Sequence, residues 1–193
     1  MLALLGVAAP SAIQASDARA VVADLEAALI TTMKNAERLG FKGRYEALAP
    51  VVARTYDLPY IGRLVLSTSW MELGEEQRAR FATAFEKLVV STFAGELGAY
   101  RGQRFKFELE KPLRRGRILI RSRLVEQDGG ANQFDYRLQK VDGRWRVINV
   151  SVDGVSDLAL KRSEYGTLVR TDGFEALISR IQSQIRQYEQ DLR

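Results

Sequence analysis

The stretch from Arg104 to Gly154 places the strongest constraint on the fold. It holds four short runs in which apolar and polar residues alternate with a period of two. Successive side chains of a strand point to opposite faces, so each run predicts a strand with one apolar and one charged face. Turn-forming residues separate the runs, at Pro112 with 114–116, at 128–130, and at Asp142 with Gly143. Because such short connections join antiparallel neighbours, the stretch predicts a four-stranded antiparallel meander.

Helical periodicity fills the chain on both sides of this sheet. We predict a first helix over 17–39, ended by Gly40, and then a segment in which Pro50 causes a kink or divides two short helices. A long helix begins at Glu75 and runs toward Arg101, a shorter one covers 163–170, and the last begins at Phe174. The chain therefore predicts an α+β fold: a four-stranded antiparallel meander sheet wrapped by about six or seven helices, which enclose an apolar pocket.

The length and composition favour one domain after a short leader. Residues 1–15 carry no charge and resemble the apolar part of a secretory signal peptide, without its basic start. We interpret them as a truncated signal peptide, and fifteen residues are too few to span a bilayer. The remaining residues, 16–193, are predicted to form a single ligand-binding domain with helices over 17–101, the sheet over 104–154 and helices over 157–192.

The composition excludes several kinds of catalytic and metal site. The chain contains no Cys and no His, which removes Cys–His catalysis and the commonest metal ligand. The sequence also lacks the GxGxxG, P-loop, HExxH and GxSxG motifs. Asp153 and Asp157 are interpreted as turn and cap residues rather than as an acid and a base. We therefore expect no catalytic residue and no metal.

The positive charge of the chain belongs mainly to the sheet. The net charge is +5, and 104–146 alone holds twelve Lys plus Arg against six Asp plus Glu. Arg121 and Arg123 lie on the predicted charged face and are our candidates for docking an acidic partner or anionic headgroups. A charged face that only keeps the protein in solution remains the alternative.

The apolar face of the sheet, with the apolar sides of the helices, is the candidate ligand site. Bulky amphipathic side chains often line apolar clefts, although the same residues also build ordinary cores. The predicted pocket residues are Leu66, Trp70, Phe85, Val89, Phe93, Tyr100, Phe105, Phe107, Ile118, Ile120, Phe134, Tyr136, Trp145, Tyr165 and Leu168.

Three short motifs carry a resemblance to a known family. They are DGVS at 153–156, EYGTL at 164–168 and RT-G at 170–173. With YDLPYIGRLVL, the EEQRARFATAFEKLVVSTFAGELGAYRGQ helix and the meander, their order and spacing resemble the MlaC / toluene-tolerance family of periplasmic lipid carriers. The resemblance covers nearly all of the chain after the leader. It extends to the hopanoid-associated HpnM branch of that family.

The resemblance implies a periplasmic carrier that takes the acyl chains of a phospholipid, or a hopanoid, into a pocket between sheet and helices. Such a carrier moves lipid between an outer-membrane lipoprotein/porin complex and an inner-membrane ABC transporter with an MCE-domain subunit, and so maintains outer-membrane lipid asymmetry. The resemblance implies no enzyme activity and no cofactor, because the lipid is the cargo. We expect the carrier to be a monomer. Exposing a chain of about sixteen carbons to water costs on the order of 12 kcal/mol, so the cargo must be enclosed.

Two alternatives remain open from the residues alone. The first is a small-molecule enzyme of the nuclear-transport-factor-like kind, which requires Asp135, Asp153 or Tyr165 to face into the pocket with a shifted pKa. The second is a nucleic-acid binder that uses the basic sheet. Its aromatic and basic residues are predicted on opposite faces, whereas base stacking and phosphate contact need one shared surface. We therefore expect no nucleic-acid partner.

Overall fold

The computed structural model describes residues 16–98 and 100–190, so the predicted leader at 1–15 lies outside the described residues. Seven helices and one antiparallel sheet make up the described chain. The helices are α1 Asp17–Lys34, α2 Ala36–Thr55, α3 Leu58–Leu66, α4 Ser69–Glu72, α5 Glu75–Glu96, α6 Asp157–Asp172 and α7 Phe174–Gln190. The strands are β1 Arg104–Pro112, β2 Ile118–Val125, β3 Ala131–Val141, β4 Arg144–Val152 and β5 Val155–Ser156.

The sheet confirms the predicted meander, with the strands paired in chain order. The difference is a short fifth strand, β5, which pairs with the end of β4. The β4–β5 turn is made by Asp153 and Gly154, with φ values of 50° and 84°. Positive φ at both central residues is the geometry of the tight turns that join twisted antiparallel strands, and Asp–Gly is a favoured pair there. The DGVS motif is therefore this hairpin turn together with β5.

A β-bulge in β1 changes the predicted facing of one residue. The pairing between β1 and β2 shifts between Phe107, which is opposite Ser122, and Leu109, which is opposite Arg121. Paired residues share a face of the sheet, so Leu109 lies with Arg121 on the charged face, whereas strict alternation along the strand predicts that it shares the apolar face with Phe105 and Phe107. Phe107 itself is 40% exposed on the edge strand β1, and the Arg19 guanidinium lies over its ring, 3.7 Å from the centroid.

The first helix ends earlier than predicted. α1 begins at its N-cap Ser16, whose hydroxyl accepts a hydrogen bond from the Arg19 amide, and it ends at Asn35 rather than at Gly40. Gly40, at φ 56°, instead makes a kink inside α2. The buried guanidinium of Arg44 stabilises this kink, since its Nε donates to the Gly40 carbonyl at 3.1 Å while Nη1 donates to the Leu97 carbonyl at 2.7 Å.

Pro50 does not divide the second helix into two, one of the two outcomes that the sequence predicted. Proline lacks the amide that would bond to the carbonyl four residues earlier, here that of Glu46. Both residues are exposed, so water can solvate the carbonyl that the proline leaves free. α2 therefore continues through Pro50 to Thr55, and its only non-helical residue is Gly40.

Other helix boundaries also differ from the sequence pattern. α5 ends at Glu96 rather than near Arg101, in line with the two glycines at its predicted end. α6 begins at Asp157, well before 163, because Ser156 caps it by accepting a hydrogen bond from the Ala159 amide. α7 begins at Phe174 as predicted.

The core lies between the apolar face of the sheet and the helices. α1 crosses β1, β2 and β4, and α6 packs on β4 and α3, while α5 is held between α2 and α7. The junction between α2 and α3 is tied to the sheet by Asp57, whose amide donates to the Val147 carbonyl at 3.0 Å and whose carboxylate caps α3. Within the described residues, we find no helix with the length and apolar character needed to cross a membrane.

Candidate functional site

A cavity lies at the centre of the fold, where the helices leave the sheet. Its volume is about 210 Å³. It is lined by α1, α3, α5, the residue after α2, the first half of β3, the end of β4 and the start of α6. Its apolar lining comprises Leu25, Leu29, Tyr56, Ile61, Val89, Phe93, Phe134, Tyr136, Val150, Val152 and Leu158. This central cavity has the composition of a site for an apolar ligand.

Exposed side chains in the lining mark where the central cavity opens. Glu96, Val152 and Asp157 are the exposed members of the lining, so the opening lies between the end of α5 and the start of α6. At this opening the Lys161 ammonium donates to the Asp157 carboxylate at 2.7 Å. The cavity thus joins a buried apolar interior to a charged mouth, which suits a ligand with an apolar body and a polar end.

Four of the fifteen predicted pocket residues line the central cavity. Val89 and Phe93 lie about one helical turn apart on α5, and Phe134 and Tyr136 lie on the inner face of β3. The four have the facing that helical and strand periodicity predicted for them. The sheet register explains why the last two meet the cavity, since they pair with Val152 and Val150 of β4, which also line it.

The other eleven predicted residues lie outside the central cavity. Four of them are fully enclosed in the packed core: Leu66, Phe85, Ile120 and Tyr165. Others pack at the margins of the core: Trp70 against Phe81, Phe105 edge-on to Phe134, and Ile118 and Leu168 as half-buried neighbours of the core. Tyr100 is 37% exposed and lies under the Lys34 ammonium, Phe107 lies under Arg19, and Trp145 lies under Lys140. The hydrophobic pattern marked these residues correctly as inward or amphipathic, but it carries no information on where packing leaves a gap.

Most of the cavity wall was missed by sequence reasoning. Leu25 and Leu29 lie on the apolar stripe of α1, while Tyr56 and Ile61 flank the α2–α3 junction. Their stripes were visible in the sequence, but which stripes face an open space depends on how the helices cross. The remaining members missed are Thr92, Glu96, Asn149, Val150, Val152, Asp157, Leu158 and Lys161.

A buried carboxyl group lies beside the central cavity. Glu26 of α1 is only 8% exposed, and burial raises its pKa to about 7, although the hydroxyls of Ser122 and Tyr136 partly oppose the shift. Burial raises the pKa of the Tyr136 hydroxyl as well, with further contributions from Glu26 and Tyr56. Desolvation disfavours the charged form of each group. The core beside the central cavity therefore contains a carboxyl group that changes charge near neutral pH.

The residues required by the enzyme alternative do not line the central cavity. Asp135 lies on the charged face, where Arg121 donates to it through both Nε and Nη2 at 2.6 and 2.9 Å. Asp153 is exposed in the β4–β5 turn, and hydrogen bonds from Asn132 and the Gln133 amide lower its pKa. Tyr165 is buried and donates to Gln184. Among residues 16–98 and 100–190, no group of three or more acidic side chains is placed to hold a metal ion.

The two arginines predicted to dock partners are engaged within the sheet. Arg121 forms the two-pronged ion pair with Asp135, and Arg123 lies 2.9 Å from the Glu108 carboxylate. Opposite charges on neighbouring strands stabilise the pairing of those strands. These ion pairs reduce the charge that this face presents to a partner.

Comparison with known proteins relates the whole arrangement to one family. The sequence model of the MlaC protein family matches residues 23–183. The intermembrane phospholipid transport system binding protein MlaC of Haemophilus influenzae is 27% identical over 135 residues, which is 68% of this chain and 63% of that protein. The toluene tolerance protein ttg2D of Pseudomonas putida is 22% identical over 130 residues, 67% of this chain and 60% of that protein. The chain thus aligns with about three fifths of the length of these relatives.

A solved structure shows the same fold. The phospholipid-binding protein of Ralstonia solanacearum, determined in complex with a phospholipid, superposes with a TM-score of 0.78 at 17% sequence identity. The match covers 90% of this chain and 99% of that one. The fold, the motifs along the chain and the matched span of 23–183 agree, and the chain therefore belongs to the MlaC protein family.

Proposed function

We propose that this protein is a periplasmic lipid carrier that holds the acyl chains of a phospholipid, or a hopanoid, in the central cavity. The observation that carries the proposal is the cavity itself, with an apolar interior between helices and sheet and a charged mouth at Asp157 and Lys161. Two relatives support it by name, one a phospholipid transport binding protein and one a phospholipid-binding protein.

Transport requires the cavity to change shape. Its volume of about 210 Å³ is below the roughly 300–1,000 Å³ typical of sites for small molecules, so a diacyl lipid needs it wider. The segment 155–161 is the part we propose to move, since Asp157, Leu158 and Lys161 line one side of the mouth. This segment is a two-residue strand and one turn of helix, which can shift without disturbing the four-stranded meander.

The proposed role is to shuttle lipid between an outer-membrane lipoprotein/porin complex and an inner-membrane ABC transporter with an MCE-domain subunit, which maintains outer-membrane lipid asymmetry. A pocket that never changes holds its lipid for a very long time, so contact with each complex must favour the open form. The proposed carrier acts as a monomer without catalytic residues, cofactor or metal.

Native mass spectrometry tests the central claim directly. The protein is expressed with a signal peptide for export, purified from the periplasm without detergent, and measured intact and after extraction with organic solvent. We expect a stoichiometric mass increase that extraction removes and that lipid analysis identifies as phospholipid or hopanoid. A protein that carries only background lipid, at no fixed stoichiometry, would show that the cavity is not a lipid site.

A further inference from the structure

The positive charge of the sheet is concentrated in two of its turns. The segments 111–117 and 140–146 hold seven Lys plus Arg and one Asp between them. The rest of 104–146 holds five basic and five acidic residues, so it is neutral as a whole. The basic excess of the sheet therefore comes entirely from these two segments.

Both turns lie at the same end of the sheet. The first connects β1 to β2 after Pro112, which is paired with Ile118, and the second connects β3 to β4 after Val141. Ile118 is paired with Leu138, close to the end of β3, and this register brings the two turns side by side. We call this end of the sheet the hairpin end and define it by its seven cations: Lys111, Arg114, Arg115, Arg117, Lys140, Arg144 and Arg146.

The cations of the hairpin end have no acidic partner among the described residues. Five of them are exposed, and none of the seven forms a salt bridge within residues 16–98 and 100–190. The other two, Arg117 and Arg146, are half-buried and donate to neutral oxygens. Arg117 donates to the Tyr60 hydroxyl at 2.7 Å, and Arg146 donates to the Ala53 carbonyl at 3.3 Å. The positive charge of this end is therefore not neutralised by the part of the chain that the structure describes.

Other charged side chains near the sheet are already engaged. Arg121 and Arg123 of the charged face each contact a carboxylate. On α1, Asp24 is paired with Arg54, and Asp17 lies in the first turn, where the helix dipole favours an acidic residue. The charge that remains available to a partner is that of the hairpin end, and not that of the face indicated by the sequence.

One cation of the first turn holds a backbone conformation that arginine disfavours. Arg115 has a φ of 62°, in the left-handed region where residues with a Cβ atom are uncommon. Glycine would adopt the same conformation at lower cost. The presence of arginine at this position points to a use for its charge outside the chain.

The chemistry of the hairpin end fits the surface of an anionic lipid bilayer. Guanidinium groups bind phosphate oxygens through paired hydrogen bonds, and each Lys or Arg near an anionic membrane raises the binding constant roughly fivefold. Aromatic rings accompany the cations: the Lys140 ammonium lies 5.3 Å from the Trp145 ring centroid, and the Arg117 guanidinium lies 5.8 Å from that of Tyr60. Trp and Tyr are enriched at membrane–water interfaces. A bilayer presents dispersed charge, which suits cations carried on two turns, whereas an acidic protein needs carboxylates at matched positions.

We propose that the hairpin end is a docking surface for the anionic headgroups of a lipid bilayer. The choice of a membrane rests on the proposed lipid-carrying function, but the surface is separate from the cavity. β4 runs from Arg144 at the hairpin end to Val152 at the cavity mouth, a length of about 27 Å for an antiparallel strand. The mouth thus lies at the opposite end of the sheet from the docked bilayer. Docking concentrates the carrier at a membrane and leaves the mouth free to reach a partner complex.

Flotation with lipid vesicles tests the docking surface. The protein as purified is mixed with vesicles of phosphatidylglycerol and phosphatidylcholine in equal parts, or of phosphatidylcholine alone, and the bound fraction is measured across lipid concentrations. We expect binding to the anionic vesicles only, and a steep loss of binding as added salt screens the charges. A parent protein that binds neither kind of vesicle, or binds both equally, would overturn the proposal and make an acidic protein the better candidate for this surface.

Matched variants assign the binding to the hairpin end. Arg114→Glu combined with Arg115→Gly removes three units of positive charge from the first turn, and glycine suits the positive φ there. This turn variant should bind anionic vesicles at least tenfold more weakly than the parent. Lys42→Glu combined with Arg186→Gln removes the same charge at exposed sites on α2 and α7 and should bind like the parent. Circular dichroism and thermal unfolding establish that each variant is folded.

The outcomes separate the docking surface from the carrier function. If the control variant loses as much affinity as the turn variant, net charge alone causes the binding and the hairpin end is not a site. Protein stripped of lipid and protein as purified should bind vesicles equally, and tighter binding of the stripped form would place the contact at the cavity mouth instead. A turn variant that binds like the parent overturns the surface even in a protein that carries lipid. Docking through the hairpin end by a protein without lipid would support the surface and contradict only the proposed function.

Discussion

Glu26 occupies a position where the periodicity of α1 calls for an apolar residue. Its neighbours on the buried side of the helix include Val22, Leu25 and Leu29. A carboxyl group buried among apolar residues is costly when ionised, and its raised pKa of about 7 expresses that cost. Because apolar residues would pack there without this cost, the presence of Glu26 suggests a role other than stability.

The stability of the protein should depend on the ionisation of Glu26. The folded-state pKa of about 7 lies above the ordinary glutamate value of 4.5, so protonation of Glu26 favours folding. This contribution is fully present below pH 4.5 and is lost as the pH rises through 7. The free energy of unfolding of Glu26→Gln should therefore rise relative to that of the parent as the pH increases. Between pH 4.5 and pH 8 this relative gain should be on the order of 3 kcal/mol.

Urea unfolding across this pH range checks the prediction. Glu86→Gln, at an exposed site on α5, is the matched control and should follow the pH profile of the parent. A constant difference between Glu26→Gln and the parent from pH 4.5 to 8 would mean that the carboxyl group is solvated in solution.

Two leucines near the start of α6 differ in position: one lines the cavity and the other lies on the surface. Leu158 is half-buried and lines the central cavity, whereas Leu160 is 58% exposed and does not line it. Leu158→Glu should strongly reduce lipid loading, because it places a charge in the apolar wall. Both positions are in the first turn of the helix, where an acidic residue interacts favourably with the helix dipole, so folding should survive.

Lipid per protein, measured after organic extraction, reports the effect of each leucine substitution. Leu160→Glu introduces the same charge in the same turn and should load lipid like the parent. Equal loading of both variants would place the acyl chains away from α6.

At the scale of elements, the packing of α5 on α7 depends on one glycine. A Cβ atom added at Gly95 would lie 2.3 Å from Cδ1 and 3.1 Å from Cβ of Tyr188. Rotation of the Tyr188 ring alone would not remove this overlap, because the Tyr188 Cβ atom does not move with the ring. The two helices would therefore have to separate. Gly95 therefore allows a close helix contact near the mouth, in addition to weakening the last turn of α5.

Gly95→Ala should consequently destabilise the protein. Overpacking typically costs about 1–3 kcal/mol, which outweighs or offsets the gain of about 1 kcal/mol in helix propensity. Denaturant unfolding measures the loss, and Gly98→Ala, where an added Cβ has no atom within 4 Å, is the control. A Gly95→Ala protein clearly more stable than the parent would show that helix propensity dominates at this position.

At the scale of the whole molecule, cargo and stability are linked. A lipid bound only to the folded state stabilises it by about 2.7 kcal/mol at a free concentration one hundred times the dissociation constant. For a protein of this size, such a gain raises the unfolding temperature by roughly 5–10 °C. Protein stripped of lipid should therefore unfold at a lower temperature than protein as purified, and should recover on reloading.

Differential scanning calorimetry of the stripped, native and reloaded forms measures this difference. The unfolding temperature of Leu158→Glu should change little when lipid is removed, since this variant starts with less lipid. Identical unfolding temperatures for the three forms of the parent would show that lipid does not bind the folded state selectively.

Much of the fold followed from local patterns. The alternation over 104–154 defined the strands, and Asp142 with Gly143 marked a turn that the structure confirms at φ values of 48° and 77°. Errors arose where the surroundings of a residue in the folded protein outweigh its local preference. Pro50 is accommodated because the carbonyl it leaves unpaired is solvated, and the bulge in β1 turns Leu109 outward.

The sequence by itself determined the secondary-structure elements, their inward faces and the family, because these depend on periodicity and on motifs local to the chain. Only the tertiary structure decided which inward residues line a cavity. Val89 and Phe85 lie on the same stripe of α5, yet one lines the cavity and the other packs in the core. The distinction depends on where helices from distant parts of the chain diverge from the sheet, and the same convergence places Glu26 against Ser122 and Tyr136. Cavities and contacts between distant residues arise from the packing of many elements together, and no local pattern in the sequence encodes them.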